Sequence, residues 1–159
     1  MMKFMLLLTF SLFWTAAVSA QDKDASAIDS YIARQARQER GEEYKDARKI
    51  ATGDLNNDKT PETVVLYTIE SQGGSNNYIQ YIAVFIRRNG NLTLLTRTEA
   101  GSKTGRAVES MAVGNQAIEL DTLDYGPQDP SCCPTIKGKT KYILVGRRLR
   151  EQHLRANKK

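Results

Sequence analysis

Apolar residues recur at Ile28, Tyr31, Ile32 and Ala36, with Arg34, Arg37, Gln38 and Glu39 on the opposite side. Intervals of three, four and eight residues place the apolar set on one face of a helix. Ser26-Ala27-Ile28-Asp29 has the spacing of a capping box, and Gly41 is a natural stop. The pattern therefore predicts one amphipathic helix over residues 27–40. Beyond it the period changes. Short runs rich in β-branched and aromatic residues, at 63–69, 78–87, 92–97, 108–113, 117–123 and 141–145, read as strands. Asn89-Gly90, Gly114-Asn115 and Gly138 mark tight connections between them, so neighbouring strands should pair as antiparallel hairpins. Residues 117–121 alternate as a half-buried strand should. The run 78–86 is apolar on both faces and is the candidate central strand.

These elements predict an α+β domain: the N-terminal amphipathic helix packed on one face of a meandering antiparallel sheet. A small closed barrel is the alternative. A propeller is disfavoured, because the loop after Gly53 occurs once rather than once per blade.

The ends of the chain add a compartment. Residues 1–20, MMKFMLLLTFSLFWTAAVSA, carry one Lys, an apolar run too short to span a bilayer, and small residues before a cut after Ala20. They are expected to be a signal peptide, leaving a single globular domain at 21–151 and a basic tail at 152–159. The mature protein is expected to be a periplasmic or secreted monomer with no integral membrane segment. The signal segment holds one of the 23 Lys and Arg and none of the 18 Asp and Glu, so a net charge of +5 becomes +4 on cleavage. The stretch GRRLREQHLRANKK holds six Lys and Arg against Glu151 alone, which would suit an anionic surface. It has no interleaved aromatic residue to stack on bases, so nucleic acid is not an expected partner. A solvated, frayed terminus is the expectation, with His153, the only histidine, exposed in it.

The sharpest chemical signal is GDLNNDKTPETVV, beginning at Gly53. Asp54, Asn56, Asp58, the carbonyl of Thr60 and Glu62 supply oxygen at alternate positions, a pattern that suits calcium. The stretch is not an EF-hand, since Val65 stands where that motif needs Glu and Lys59 where it needs Gly. It resembles the short calcium loop of integrin-type FG-GAP repeats. That resemblance implies Asp54, Asn56, Asp58 and Glu62 as side-chain ligands, with Asn57 and Lys59 in place of the family's glycines. A metal-free turn held by Asx hydrogen bonds is the other reading.

Asp129-Pro130-Ser131-Cys132-Cys133-Pro134 contains both cysteines. With the loop and the run LYTIESQGGSNNYIQYIAVF, it resembles a family of uncharacterised secreted bacterial proteins, and its pattern is similar to that of LppP/LprE-type lipoproteins. The resemblance covers most of 42–151 and implies no activity. This chain lacks the lipid-bearing cysteine of the lipoprotein members. A Cys132–Cys133 disulfide, two buried thiols and bonds to another chain all remain open, because adjacent Cα atoms lie closer than most disulfides allow. The glycine-rich run 72–77 reads as a flexible connection or a binding loop. Lys103-Thr104-Gly105 matches the third element of penicillin-recognising enzymes, but no Ser-x-x-Lys accompanies it.

Two functions follow as expectations. One is an exported, non-enzymatic module that binds an unknown protein or cell-envelope ligand through loops, stiffened by one calcium ion. The other is a carboxylate-dependent hydrolase of the cell envelope using Asp121, Asp124 and Asp129.

Overall fold

The computed structural model describes residues 16–71, 73 and 75–153. Residues 1–15, most of the expected signal segment, and 154–159, most of the expected tail, lie outside the described residues. Helix α1 spans Ala16–Glu39, so it starts well before residue 27 and runs through the expected cut after Ala20. Ser26 and Asp29 consequently sit inside the helix rather than capping it. Its end also differs in detail. Arg40 takes the left-handed conformation (φ 54°), and the Gly41 N–H donates to Ala36 O at 2.9 Å. This is the closing bond of a Schellman cap, with the left-handed position one residue earlier than the glycine. Among the described residues no helix is long and apolar enough to cross a membrane.

Nine strands follow: β1 (Glu42–Glu43), β2 (Lys49–Gly53), β3 (Glu62–Glu70), β4 (Tyr78–Arg88), β5 (Asn91–Ser102), β6 (Ala107–Gly114), β7 (Ala117–Asp124), β8 (Ile136–Val145) and β9 (Arg148–His153). They form two antiparallel sheets. The first has the order β1-β3-β4-β5, with β2 lying along β3 beyond β1; the second has the order β6-β7-β8-β9. Six strands coincide with the runs read from the sequence, several of them extended by a few residues. β1, β2 and β9 were not anticipated, and β9 lies within the stretch read as a frayed tail.

The sheets are stacked. Val64, Leu66, Ile82 and Val84 of the first face Val108, Ile118, Leu120 and Tyr142 of the second, and all eight are buried. On the other face of the first sheet, Val65, Tyr67, Ile69, Tyr81, Ala83 and Phe85 meet Ile28, Tyr31, Ile32 and Ala36 of α1. The molecule therefore has three layers: helix, sheet, sheet. The expected α+β class is overturned, because the protein is largely β, with two antiparallel sheets and one helix. Hairpin signals reveal that strands pair but not where a meander ends. The single sheet of the expectation breaks at the β5–β6 turn, and its second half folds back over the first.

Three residues make that fold-back tight. Gln80, buried near the start of β4, uses its side-chain amide as a strand would: its Nε2 donates to Val108 O (3.0 Å), and the Val108 N–H donates to its Oε1 (2.7 Å). A Cβ on Gly101 would stand 2.6 Å from Arg106 O and 2.7 Å from Gln80 Oε1, so only glycine fits beneath the turn. Arg106 then crosses to the second sheet. Its guanidinium donates to both carboxylate oxygens of Glu151 (2.7 and 2.8 Å), to Thr140 Oγ1 (3.0 Å) and to the Tyr142 hydroxyl (2.8 Å). A bidentate Arg–carboxylate pair fixes direction as well as charge, and it anchors β9 against β8.

Candidate functional site

Two ends of the sandwich carry the residues singled out by sequence. At the first, the β2–β3 connection is a tight turn organised by its acidic side chains. Asp54 Oδ1 accepts the N–H groups of Asn56 (3.3 Å) and Asp58 (3.2 Å), and its Oδ2 accepts that of Lys59 (2.8 Å). Asn56 Oδ1 also accepts from Asp58 N (2.8 Å), and Asp58 Oδ1 accepts from Thr60 N (2.7 Å). Asn57 and Lys59 take positive φ, 63° and 68°, at the two positions where the FG-GAP loop has glycine. Asn tolerates that region; Lys does so at a cost that the surrounding hydrogen bonds offset.

Glu62 closes the turn. Only 2% of it is exposed, its Oε2 accepts the Leu55 N–H at 2.7 Å, and its Oε1 accepts from Asn56 Nδ2 at 3.1 Å. The same Asn56 nitrogen donates to Asp58 Oδ2 at 2.9 Å, so one amide group bridges two carboxylates. Burial pushes the Glu62 carboxyl above its ordinary value, and the negative charges of Asp58 and Asp54 push it the same way. Exposed Asp58 shifts down, held ionised chiefly by the Thr60 N–H and then by the Asn56 amide. Four of the five sequence-predicted positions thus have side chains meeting around Asn56, while Thr60 contributes through its N–H. As placed, no three Asp, Glu, His or Cys side chains among the described residues stand close enough to hold a metal ion.

At the opposite end of β3 and β4, three stretches that are distant in sequence come together. Lys103, in the β5–β6 turn, donates from its backbone N–H to Tyr78 O (3.2 Å) and from its ammonium to Asn76 O (3.2 Å) and Asn76 Oδ1. The Tyr125 hydroxyl lies between Lys103 O (2.7 Å) and Ser131 O (2.8 Å) and shares its one proton with both. The glycine-rich loop, the Lys-Thr-Gly turn and the Asp-Pro-Ser-Cys-Cys-Pro segment are therefore neighbours. Open grooves of about 270 and 300 Å³ lie on either side of Lys103, the first lined by Tyr78, Ile79 and Glu99, the second by Tyr125 and Ser131. A third groove of about 410 Å³ lies beside Arg106 and Asp124. Burial raises the Tyr78 hydroxyl, and Tyr125 adds to the effect. Cys132 and Cys133 are joined as a disulfide between adjacent residues, and the Cys133 N–H donates to Pro130 O at 3.0 Å.

The three carboxylates of the hydrolase reading are placed apart. Asp121 accepts from Lys139 Nζ (2.6 Å) and Ser110 Oγ (2.7 Å), which together hold its carboxyl below the usual range, Lys139 first. Asp124 lies three residues further along the same strand and so faces the opposite side of the sheet. Asp129 accepts from the N–H groups of Gly126 (2.7 Å) and Thr135 (2.8 Å) and from the Thr135 hydroxyl; the Gly126 bond contributes most to lowering its carboxyl. Gln80, Arg106 and Tyr125, which organise the loop end, were missed by sequence reasoning. A polar Gln inside the apolar run 78–86 was the one available signal.

Compared with known proteins, the chain matches no family model, no curated protein and no solved structure.

Proposed function

We propose that the protein is an exported, non-enzymatic binding module. The end built by residues 75–77, 102–106 and 125–135 receives a protein or cell-envelope ligand, and one calcium ion stiffens the turn at the opposite end. The observation that carries this reading is the convergence of three loops on Lys103, held by hydrogen bonds from Tyr125 and to Asn76. Binding sites are commonly concave, with a few fixed polar groups on otherwise apolar walls. Asp121 and Asp129 are engaged in separate hydrogen bonds, and Asp124 lies on the opposite face of its strand from Asp121, which favours binding over hydrolysis.

Calcium enters through the turn. Asp54, Asn56, Asp58 and Glu62 are the donor set, and Asn56 would turn its carbonyl inward so that a cation takes over the bridge its amide now makes. The ion would supply positive charge beside a buried carboxylate that has two acidic neighbours. With an affinity in the range of extracellular modules, millimolar calcium would add about 1 kcal/mol and raise the melting temperature by roughly 2 to 5 °C. Asp58→Ala should abolish that shift while the fold persists; identical melting in calcium and in chelator would remove the ion from the proposal. For the loop end, Thr104→Trp should fill both grooves beside Lys103. Cosedimentation of the protein with washed envelope fractions should then fall. Cosedimentation that is absent in the parent, or undiminished in the variant, would overturn the binding reading.

A further inference from the structure

The first sheet has both faces covered, one by α1 and the other by the second sheet, whereas among the described residues nothing covers the outer face of the second sheet. The residues on that face follow from register. Tyr142, Thr140 and Leu144 of β8 point to the core, so Lys137, Lys139 and Lys141 point outward. On β9, Leu149 packs inward opposite Leu144, so Arg148 and Arg150 point outward, opposite Val145 and Ile143. Successive outward residues on a strand are about 6.7 Å apart. The lysines of β8 therefore occupy three consecutive outward positions, and the arginines occupy the next two, displaced by one strand spacing of about 4.8 Å. The series Lys137, Lys139, Lys141, Arg150, Arg148 is a continuous track of five cations spanning about 27 Å.

Two carboxylates of β7, Asp121 and Glu119, stand beside the five cations. Lys139 pairs with Asp121 at 2.6 Å, but both side chains are largely exposed (73% and 50%), and Glu119 lies opposite Lys141 in register on β7. Exposed pairs of this kind hold each other weakly and exchange partners easily. Ser110, Ala112, Glu119 and Asp121 border a cavity of about 140 Å³ beside Lys139. No aromatic side chain stands among the outward residues of β7, β8 and β9.

We infer that this face is a docking track for a linear acidic polysaccharide carrying one carboxylate per sugar. A single file of cations matches a chain of evenly repeated charges better than it matches a lipid surface, which would favour a two-dimensional patch of charge; Ile143 and Val145, outward beside the two arginines, give that end of the track an apolar border. Without aromatic platforms the face has nothing on which bases could stack, which disfavours single-stranded nucleic acid. Sugar hydroxyls would find Ser110 and Gln152 along the same face. The track begins at Lys137, two residues past the loop end, but uses none of the residues assigned to that end, so variants of Arg148 and of Thr104 test the two readings separately.

The test is binding of fluorescent polyuronate oligosaccharides of increasing length to the whole protein. Affinity is expected to climb with length and level off once the oligosaccharide covers about 27 Å. It should fall with salt on a log–log slope of about −3 to −4, as for release of counterions along roughly five contacts. Lys137→Glu combined with Arg148→Glu, at the two ends of the track, should weaken binding at least tenfold. Arg88→Glu, on the first sheet, changes the net charge in the same direction and should leave binding unaltered. Loss of binding in Arg88→Glu equal to that of either track variant alone would reduce the effect to overall charge and overturn the inference. So would the lack of any length dependence, or tighter binding to oligothymidylate or to phosphatidylglycerol vesicles than to polyuronate.

Discussion

The two sheets are built from similar strands and solve opposite problems. In β3 and β4 of the first sheet, long runs on both faces are buried, and polar groups there are enclosed in internal hydrogen bonds: Gln35 accepts from the Tyr67 hydroxyl and donates to Glu39 Oε1 (2.7 Å), which in turn binds the Tyr81 hydroxyl through its other oxygen (3.0 Å). In the second sheet each strand alternates, and its outward charges meet water. The lesson is that antiparallel strands carry a continuous apolar run when two different layers cover them, so such a run reports the number of neighbouring layers rather than strand direction.

Truncating Ile82, fully buried between the sheets, should give the largest separation of the two sheets in stability. Ile82→Ala is expected to cost about 2–5 kcal/mol in urea unfolding. Ile143→Ala, on the open face of the second sheet, should cost under about 1 kcal/mol. Equal losses would mean that the open face is covered in solution.

Alkaline pH should separate them next. Burial raises the hydroxyls of Tyr67 and Tyr81 beneath the helix and pushes that of Tyr142 in the second sheet up to about 12. The folded protein therefore keeps protons that the unfolded chain releases near pH ~10. Stability should be level below about pH 10 and fall as pH rises past it. Urea midpoints measured across this range in Tyr67→Phe should decline less steeply than in the parent; an unchanged slope would show that Tyr67 opens to solvent before titrating.

The smallest effect belongs to the exposed pair. Lys139→Ala should change stability by less than about 0.5 kcal/mol, because both partners sit in water. A larger loss would make the open face a structural element comparable to the covered one.

The same contrast explains what the sequence made legible. Periodicity located the helix face and six strands, because Ile28, Ile32 and the 63–69 and 78–86 runs owe their pattern to burial. It missed β2, an edge strand whose residues are mostly exposed, and β9, where Leu149 and Glu151 face inward but Glu151 does so through Arg106. A charged residue held by a partner forty-five positions away looks no different from one in a solvated tail. Where the meander breaks depends on Gly101, Gln80 and Arg106 acting together, and no local pattern encodes that. At the candidate sites, the spacing from Asp54 to Glu62 marked a real turn, whereas the meeting of residues 75–77, 103 and 131 depended wholly on tertiary structure.

The division of the chain at the β5–β6 turn bears on how the fold is reached. Every strand pairing except that of β1 with β3 joins consecutive strands, so residues 42–102 and 107–153 can each form largely by successive hairpins, and the cost of closing even the longest of their loops, 125–135, grows only slowly with its length. The non-local steps are few: docking of α1, pairing of β1 with β3, and closure of one half over the other when Gln80 reaches Val108 and Arg106 reaches Glu151. A mostly-β chain of this kind pays for distant contacts late and once, and its slow step should lie in joining two preformed halves rather than in zippering strands.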